Sequence, residues 1–291
     1  RRARPAHAGG GAGDRPRQMV AARGSNPRGG AAAPRLRAES LPFCSTCHKV
    51  LDKSLQERDL LEILPESENF TINELLPAIA KGGFISNEEK TKVAKKMSYY
   101  SGISFDDIIS HNLDVPTNFF WKELLRDESG YTIGRLDSRY LGLDKMEAGS
   151  RPDSNAELDS WEHSFTPAIN YYMKNELNFS TDIKYNVFGP VHPWNRENDN
   201  TRDNLRQAMA QNPYLKVLIQ SGYYDGATTY FQGKYTMWQT DPSGKMNDRF
   251  IFKGYRSGHM MYLRAEDLES SNQDLRNFII NSLTNGKSAK Y

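Results

Sequence analysis

The stretch from Leu215 to Leu263 constrains the fold more than any other part of the chain. Leu215 to Gln220 and Arg249 to Lys253 read as short strands, Ala227 to Trp238 as a helix between them, and Leu263 to Leu283 as a closing helix. Strand, helix, strand and helix at this spacing imply right-handed crossovers and a parallel sheet, hence an α/β fold. In open parallel sheets, reactive groups gather just past the carboxyl ends of the strands. Asp225 follows Gln220 by five residues and His259 follows Lys253 by six, so both reach the same sheet edge. Gly222, Gly226, Gly254 and Gly258 bracket them and permit tight turns that each present one side chain. A carboxylate that accepts an imidazole N–H fixes the tautomer and stabilises the imidazolium formed when the histidine takes a proton from a nucleophile. Asp225 and His259 are therefore the candidate catalytic pair, weighed against the plainer reading of an ordinary Asp-Gly turn and an ordinary Gly-His loop.

Upstream, the pattern is helical. Leu55, Leu60, Leu61 and Leu64 precede Pro65, read as a stop, and Ile72, Leu75, Leu76 and Ile79 recur at helical spacing before Gly82-Gly83. Ser86 with Glu89 forms a capping box ahead of Val93, Ala94 and Met97, and Ser104 and Pro116 start two further helices. Several short amphipathic helices without intervening strands suit a lid better than a central sheet. From Gly130 to Trp194 the signal weakens to one aromatic-rich helix around Asn155 to Asn175 and then loop. Asp203 to Asn212 reads as a helix capped by Asp203 and closed before Pro213.

The net charge of +2 averages two unlike regions. Residues 1–40 hold nine Arg against Asp14 and Glu39, so that segment is +7 and the other residues sum to −5. The body carries no nucleic-acid footprint, and the basic segment lacks the aromatics that stack bases. Its Gly, Ala, Pro and Arg composition cannot offset the entropy of ordering, so residues 1–48 are expected to be a disordered tail. Residues 1–40 contain no lysine, while Lys90, Lys92, Lys95 and Lys96 fall within seven residues of the body; this switch suggests a tail translated in another frame. No run of about 18 apolar residues suggests a membrane span, and no secretory signal is recognised. The expected organisation is a tail over 1–48, a helical cap over 49–200 and an α/β portion over 201–291.

Ser221-Gly-Tyr-Tyr-Asp225 and Gly258-His259-Met260-Met261, in that order, resemble the C-terminal catalytic part of the serine carboxypeptidases, a branch of the α/β-hydrolases. The similarity is to bacterial members and runs from about His48 to the C-terminus. Asn112-Leu-Asp-Val-Pro-Thr117, Gly134-Arg-Leu-Asp-Ser-Arg-Tyr140 and Phe188-Gly-Pro-Val-His-Pro-Trp194 resemble that group too. The resemblance implies a partial α/β-hydrolase with a helical cap and removal of C-terminal residues from a peptide substrate through an acyl-enzyme. His259 would be the base and then acid, and Asp225 its orienter. It also implies no cofactor and a periplasmic or secreted setting. The family's nucleophile elbow, Gly-x-Ser-x-Gly, occurs nowhere in these residues, so the chain alone is expected to be inactive. A non-catalytic peptide-binding module and a nonfunctional fragment are the alternatives.

Cys44-Ser-Thr-Cys47-His48 has the form of a c-type haem attachment, but it falls where the tail's composition changes and is read as coincidence. His111, His163 and His192 lack metalloprotease spacing and read as satisfied or surface residues; no metal site is expected. Gly244-Lys245 lacks the earlier glycine of a phosphate loop, and Trp161, Trp194 and Trp238 read as core or cap residues.

Overall fold

A computed structural model describes residues 53–183 and 201–283. The sequence from Lys53 to Ser129 folds as helices, as its apolar periodicity dictates. They are α1 (Lys53–Gln56), α2 (Leu60–Phe70), α3 (Leu76–Lys81), α4 (Asn87–Ser101), α5 (Phe105–Ser110), α6 (Thr117–Glu123) and α7 (Arg126–Ser129). Ser86 caps α4 by accepting the Glu89 N–H at 3.1 Å, and Ser104 does the same for α5 through Asp107. Gly82 ends the α3 run at φ +51°, a backbone region that costs glycine little.

Pro65 does not stop the helix; it lies inside α2. An interior proline costs about 3 kcal/mol. Ile63, Leu64 and Phe70, on either side of it, are all buried, and each buried apolar side chain contributes about 1.5–3 kcal/mol. Packing on both sides outweighs the one lost hydrogen bond.

The helical lobe closes its own core around Leu75, Val93, Met97, Ile108, Leu113 and Phe120. Below it, Lys122 is fully enclosed, paired with buried Asp144 and donating to the Met146 carbonyl at 2.6 Å. The weak-signal region then yields a feature absent from the sequence expectation: β1 (Tyr131–Ile133) and β2 (Leu141–Leu143) form an antiparallel hairpin, with Thr132 opposite Gly142. Its seven-residue loop, 134–140, reaches the sheet edge described below. The aromatic-rich helix is present as α8 (Ala156–Tyr171), extended by a π-turn over Tyr172–Glu176.

The C-terminal region is mixed helix and strand, as expected. It comprises α9 (Thr201–Gln211), β3 (Val217–Gly222), α10 (Tyr230–Thr240), β4 (Phe250–Tyr255) and α11 (Ala265–Ser282). Asp203 falls within the first turn of α9 rather than capping it, and α10 begins at Tyr230 because residues 225–229 are taken up by a turn around Asp225. β3 and β4 pair in parallel, from Val217 opposite Phe250 to Gly222 opposite Tyr255. Strand alternation gives each face its own cover. Val217, Ile219, Phe250 and Phe252 pack toward Met209, Met237 and Met246, while Gln220 and Tyr255 bond to Ser271 and Asp274 of α11. The helical lobe sits on this sheet region: Leu60 and Leu64 pack with Tyr230 and Phe231, Glu68 accepts from Tyr230 and Lys234, and Asp59 pairs with Arg256. Among the described residues no helix is long and apolar enough to cross a membrane.

Candidate functional site

Because β3 and β4 end in register, the turns after Gly222 and Tyr255 leave the sheet side by side. Asp225 lies three residues into the first turn and His259 four into the second, nearer the strand ends than the sequence reading placed them. The two side chains meet: His259 Nδ1 is 2.8 Å from Asp225 Oδ2. The carboxylate is buried, whereas the imidazole side chain is 44% exposed, so His259 faces solvent while Asp225 does not.

Local chemistry holds the carboxylate still. Asp225 Oδ1 accepts the Ala227 and Thr228 amides at 2.8 and 3.0 Å, and the Thr228 hydroxyl donates to Oδ2 at 2.7 Å. With His259 the carboxylate thus has four donors, two per oxygen, and little freedom to rotate. Thr228 Oγ1 is also 3.2 Å from His259 Nδ1. Sequence reasoning passed over Thr228, although a hydroxyl three residues after an aspartate is a recognisable turn signal. With Nδ1–H directed at Asp225, the lone pair of a neutral imidazole lies on Nε2.

The four glycines serve close approach rather than left-handed turns; none has positive φ. A Cβ on Gly222 would overlap the Ser257 and Gly258 carbonyls, and one on Gly254 would enter the Tyr223 ring. At Gly226 it would lie 2.6 Å from Trp121 Nε1, and at Gly258 2.6 Å from the Leu136 oxygen.

The β1–β2 loop completes the framework. The Gly226 N–H donates to the Arg135 carbonyl at 3.0 Å and the His259 N–H to the Leu136 carbonyl at 2.8 Å, while the Ser138 N–H donates to Tyr224 at 3.0 Å. One hairpin loop therefore bonds beside both members of the pair. Arg139 pairs with Asp137, donates to the Arg256 carbonyl at 3.1 Å and lies 5.0 Å above the Tyr224 ring. Beneath the loop, fully buried Glu157 accepts the Leu136 N–H at 2.9 Å. Neither the loop's role nor that of Glu157 emerged from periodicity, although the segment Gly134 to Tyr140 stood out by resemblance.

Beside His259 opens an apolar cleft of about 530 Å³, walled by Leu136, Trp161, Phe165, Tyr172, Met260 and Tyr262. Trp161 is thus both a buried residue and part of a wall. Trp238 stays partly exposed on α10 with Lys234 at 5.6 Å from its ring, and Trp194 lies outside the described residues.

Among the described residues no other histidine joins the pair. His111 Nδ1 is bonded to the Asp107 carbonyl at 2.8 Å and its ring rests on Phe119, while His163 is exposed. His192, the Cys44, Cys47 and His48 cluster, and the tail over 1–48 lie outside the described residues. Among the described residues no serine hydroxyl is hydrogen-bonded to His259, and no group of three His, Cys, Asp or Glu side chains is arranged to hold a metal ion. The chain matches no protein-family model, no curated protein and no solved structure.

Proposed function

We propose that Asp225 and His259 are the acid and base of a serine-type carboxypeptidase of the α/β-hydrolase kind, acting on peptides at their C-terminal end. The observation that carries this reading is the 2.8 Å bond between His259 Nδ1 and Asp225 Oδ2 past the in-register ends of two parallel strands. In that role His259 Nε2 removes the proton from an attacking hydroxyl and then passes it to the leaving amine, while Asp225 holds the tautomer and stabilises the imidazolium. The hydroxyl must come from an elbow that these 291 residues do not contain. No cofactor enters the scheme.

The test is an assay of the purified chain on an N-blocked dipeptide and on the matching ester. No turnover is expected, since loss of a triad nucleophile removes most of the rate. Turnover that vanishes in His259→Ala would reveal a nucleophile within the chain and overturn the expected inactivity, whereas turnover that persists in His259→Ala would overturn the acid–base role itself. The cleft beside His259 favours a second reading, a module that binds apolar peptide side chains without cleaving them. Calorimetric binding of a peptide that is recovered intact distinguishes that outcome.

A further inference from the structure

Glu157 is a buried titratable group for which the acid–base scheme has no use. It stands in the first turn of α8, 0% exposed, with Oε1 accepting the Leu136 N–H at 2.9 Å and Oε2 buried without a hydrogen-bond partner among the described residues. Burying a carboxyl group in this way is costly, and an unsatisfied buried polar atom calls for a reason. Burial pushes the group above the ordinary carboxylate range, and the neighbouring Leu136, Glu157 and Arg135 amides pull it back only in part.

The peptide it grips is distinctive. The Arg135 carbonyl takes the N–H of Gly226, next to Asp225, and the Leu136 carbonyl takes the N–H of His259 itself. A single peptide unit and its neighbour thus link one buried carboxyl to both sides of the pair. Contact is close on the other side too, since a Cβ on Gly134 would overlap Glu157 Oε2 and the Asp137 carbonyl. Gly134 thus lets the loop lie close against Glu157, and the Leu136 N–H bond ties it there.

We propose that Glu157 is a positioning residue that sets the Asp225–His259 hydrogen bond through the Arg135 and Leu136 carbonyls. The inference rests on the acid–base reading of that pair, but its test does not need turnover. In the full chain labelled with nitrogen-15, the Nδ1–H of His259 should give a far-downfield proton resonance, assigned by its loss in His259→Gln. Glu157→Gln keeps a carbonyl acceptor for Leu136 and should retain the resonance. Glu157→Leu keeps the bulk without the acceptor and should lose it while the remaining amide spectrum stays dispersed. A Leu variant that retains the resonance overturns the proposal.

Should the Leu variant not fold, the wild-type chain supplies the decision. As the Glu157 carboxyl titrates, followed by its carbon-13 shift, the amide resonances of Gly226 and His259 should move with the same midpoint. Amides that stay still through that titration overturn the proposal. A wild-type chain without any downfield resonance, but with amides that do follow Glu157, would instead count against the acid–base reading and leave the positioning linkage standing.

Discussion

The helical lobe and the sheet region solve the same problem to different degrees. In the lobe, α2 to α6 wrap side chains such as Leu75, Met97, Ile108 and Phe120 to 1% exposure or less. In the sheet region, Val217, Leu218 and Ile219 of β3 are only partly covered, and α11 leaves Leu268, Leu275, Ile279 and Ile280 exposed. Parallel strands are ordinarily buried on both faces. The lobe therefore carries much of the packing, while the sheet region carries the candidate site, held in place by polar bonds rather than by a closed core. The difference teaches where rigidity at the candidate site originates: in four donors on one carboxylate and a hairpin loop bonded beside both residues.

The largest effect should come from the floor of the lobe. Lys122→Ala leaves Asp144 buried without its cation and should cost about 3–5 kcal/mol in urea unfolding. Replacing both partners, with Lys122→Met and Asp144→Leu, should recover most of that loss, because removing a buried pair together avoids the orphaned charge. A single substitution costing under about 1 kcal/mol would mean that water reaches the pair and that the lobe is less closed than the sheet region's contrast requires.

Next in size is Gly258→Ala, which tests the site's framework instead of its core. The added Cβ would meet the Asp137 Cβ at 2.5 Å and the Leu136 oxygen at 2.6 Å, so the β1–β2 loop must yield. Stability should fall by about 1–3 kcal/mol. The same substitution should weaken protection of the His259 amide from hydrogen exchange, since its acceptor is the displaced Leu136 carbonyl. Unchanged protection would separate the loop from the site.

A smaller effect is expected from pH. The folded Glu157 carboxyl sits above its ordinary value of 4.5 because burial disfavours the charge. In the interval above 4.5 the folded chain binds more protons than the unfolded one, so stability falls as pH rises through that interval and levels off once both states are ionised. Glu157→Gln has no proton to lose. The difference between wild-type and variant unfolding free energies, measured from acid to neutral pH, should therefore decline with rising pH, and a rising difference would contradict the burial seen here.

Much of this arrangement was legible in the sequence, for reasons that differ by region. The helices of the lobe announced themselves because their apolar spacing and their Ser86 and Ser104 caps are local signals, and local signals decided the outcome. Pro65 misled because its cost is local whereas the burial that offsets it comes from distant partners, Tyr99 and Tyr100 for the cluster of Ile63 and Tyr230 and Phe231 for that of Leu64. The meeting of Asp225 and His259 followed from strand ends in register, and parallel pairing was readable from the strand and helix spacing. The β1–β2 hairpin was not readable, as three-residue strands carry too little alternation to register. Glu157 was invisible for a related reason: a glutamate in the first turn of a helix is ordinary in sequence, and the close approach of the loop at Gly134 and Leu136 is a tertiary contact.

The smallest expected effect decides how the two regions truly differ. Ile280 lies on α11 with 56% of its surface exposed, beside Ile279 at 53%. Truncating it to alanine removes little burial and gains a few tenths of a kcal/mol in helix propensity, about 0.4 kcal/mol for isoleucine to alanine. The two terms offset, and Ile280→Ala should change stability by no more than about 0.5 kcal/mol, the range of ordinary surface substitutions. A loss above about 2 kcal/mol is the size that follows deletion of a packed side chain. It would mean that the α11 face is covered in solution, and a dependence of that loss on protein concentration would identify the cover as a second copy of the chain. A null result keeps the contrast intact, with a closed helical lobe beside a sheet region whose outer helix presents its apolar side chains to solvent.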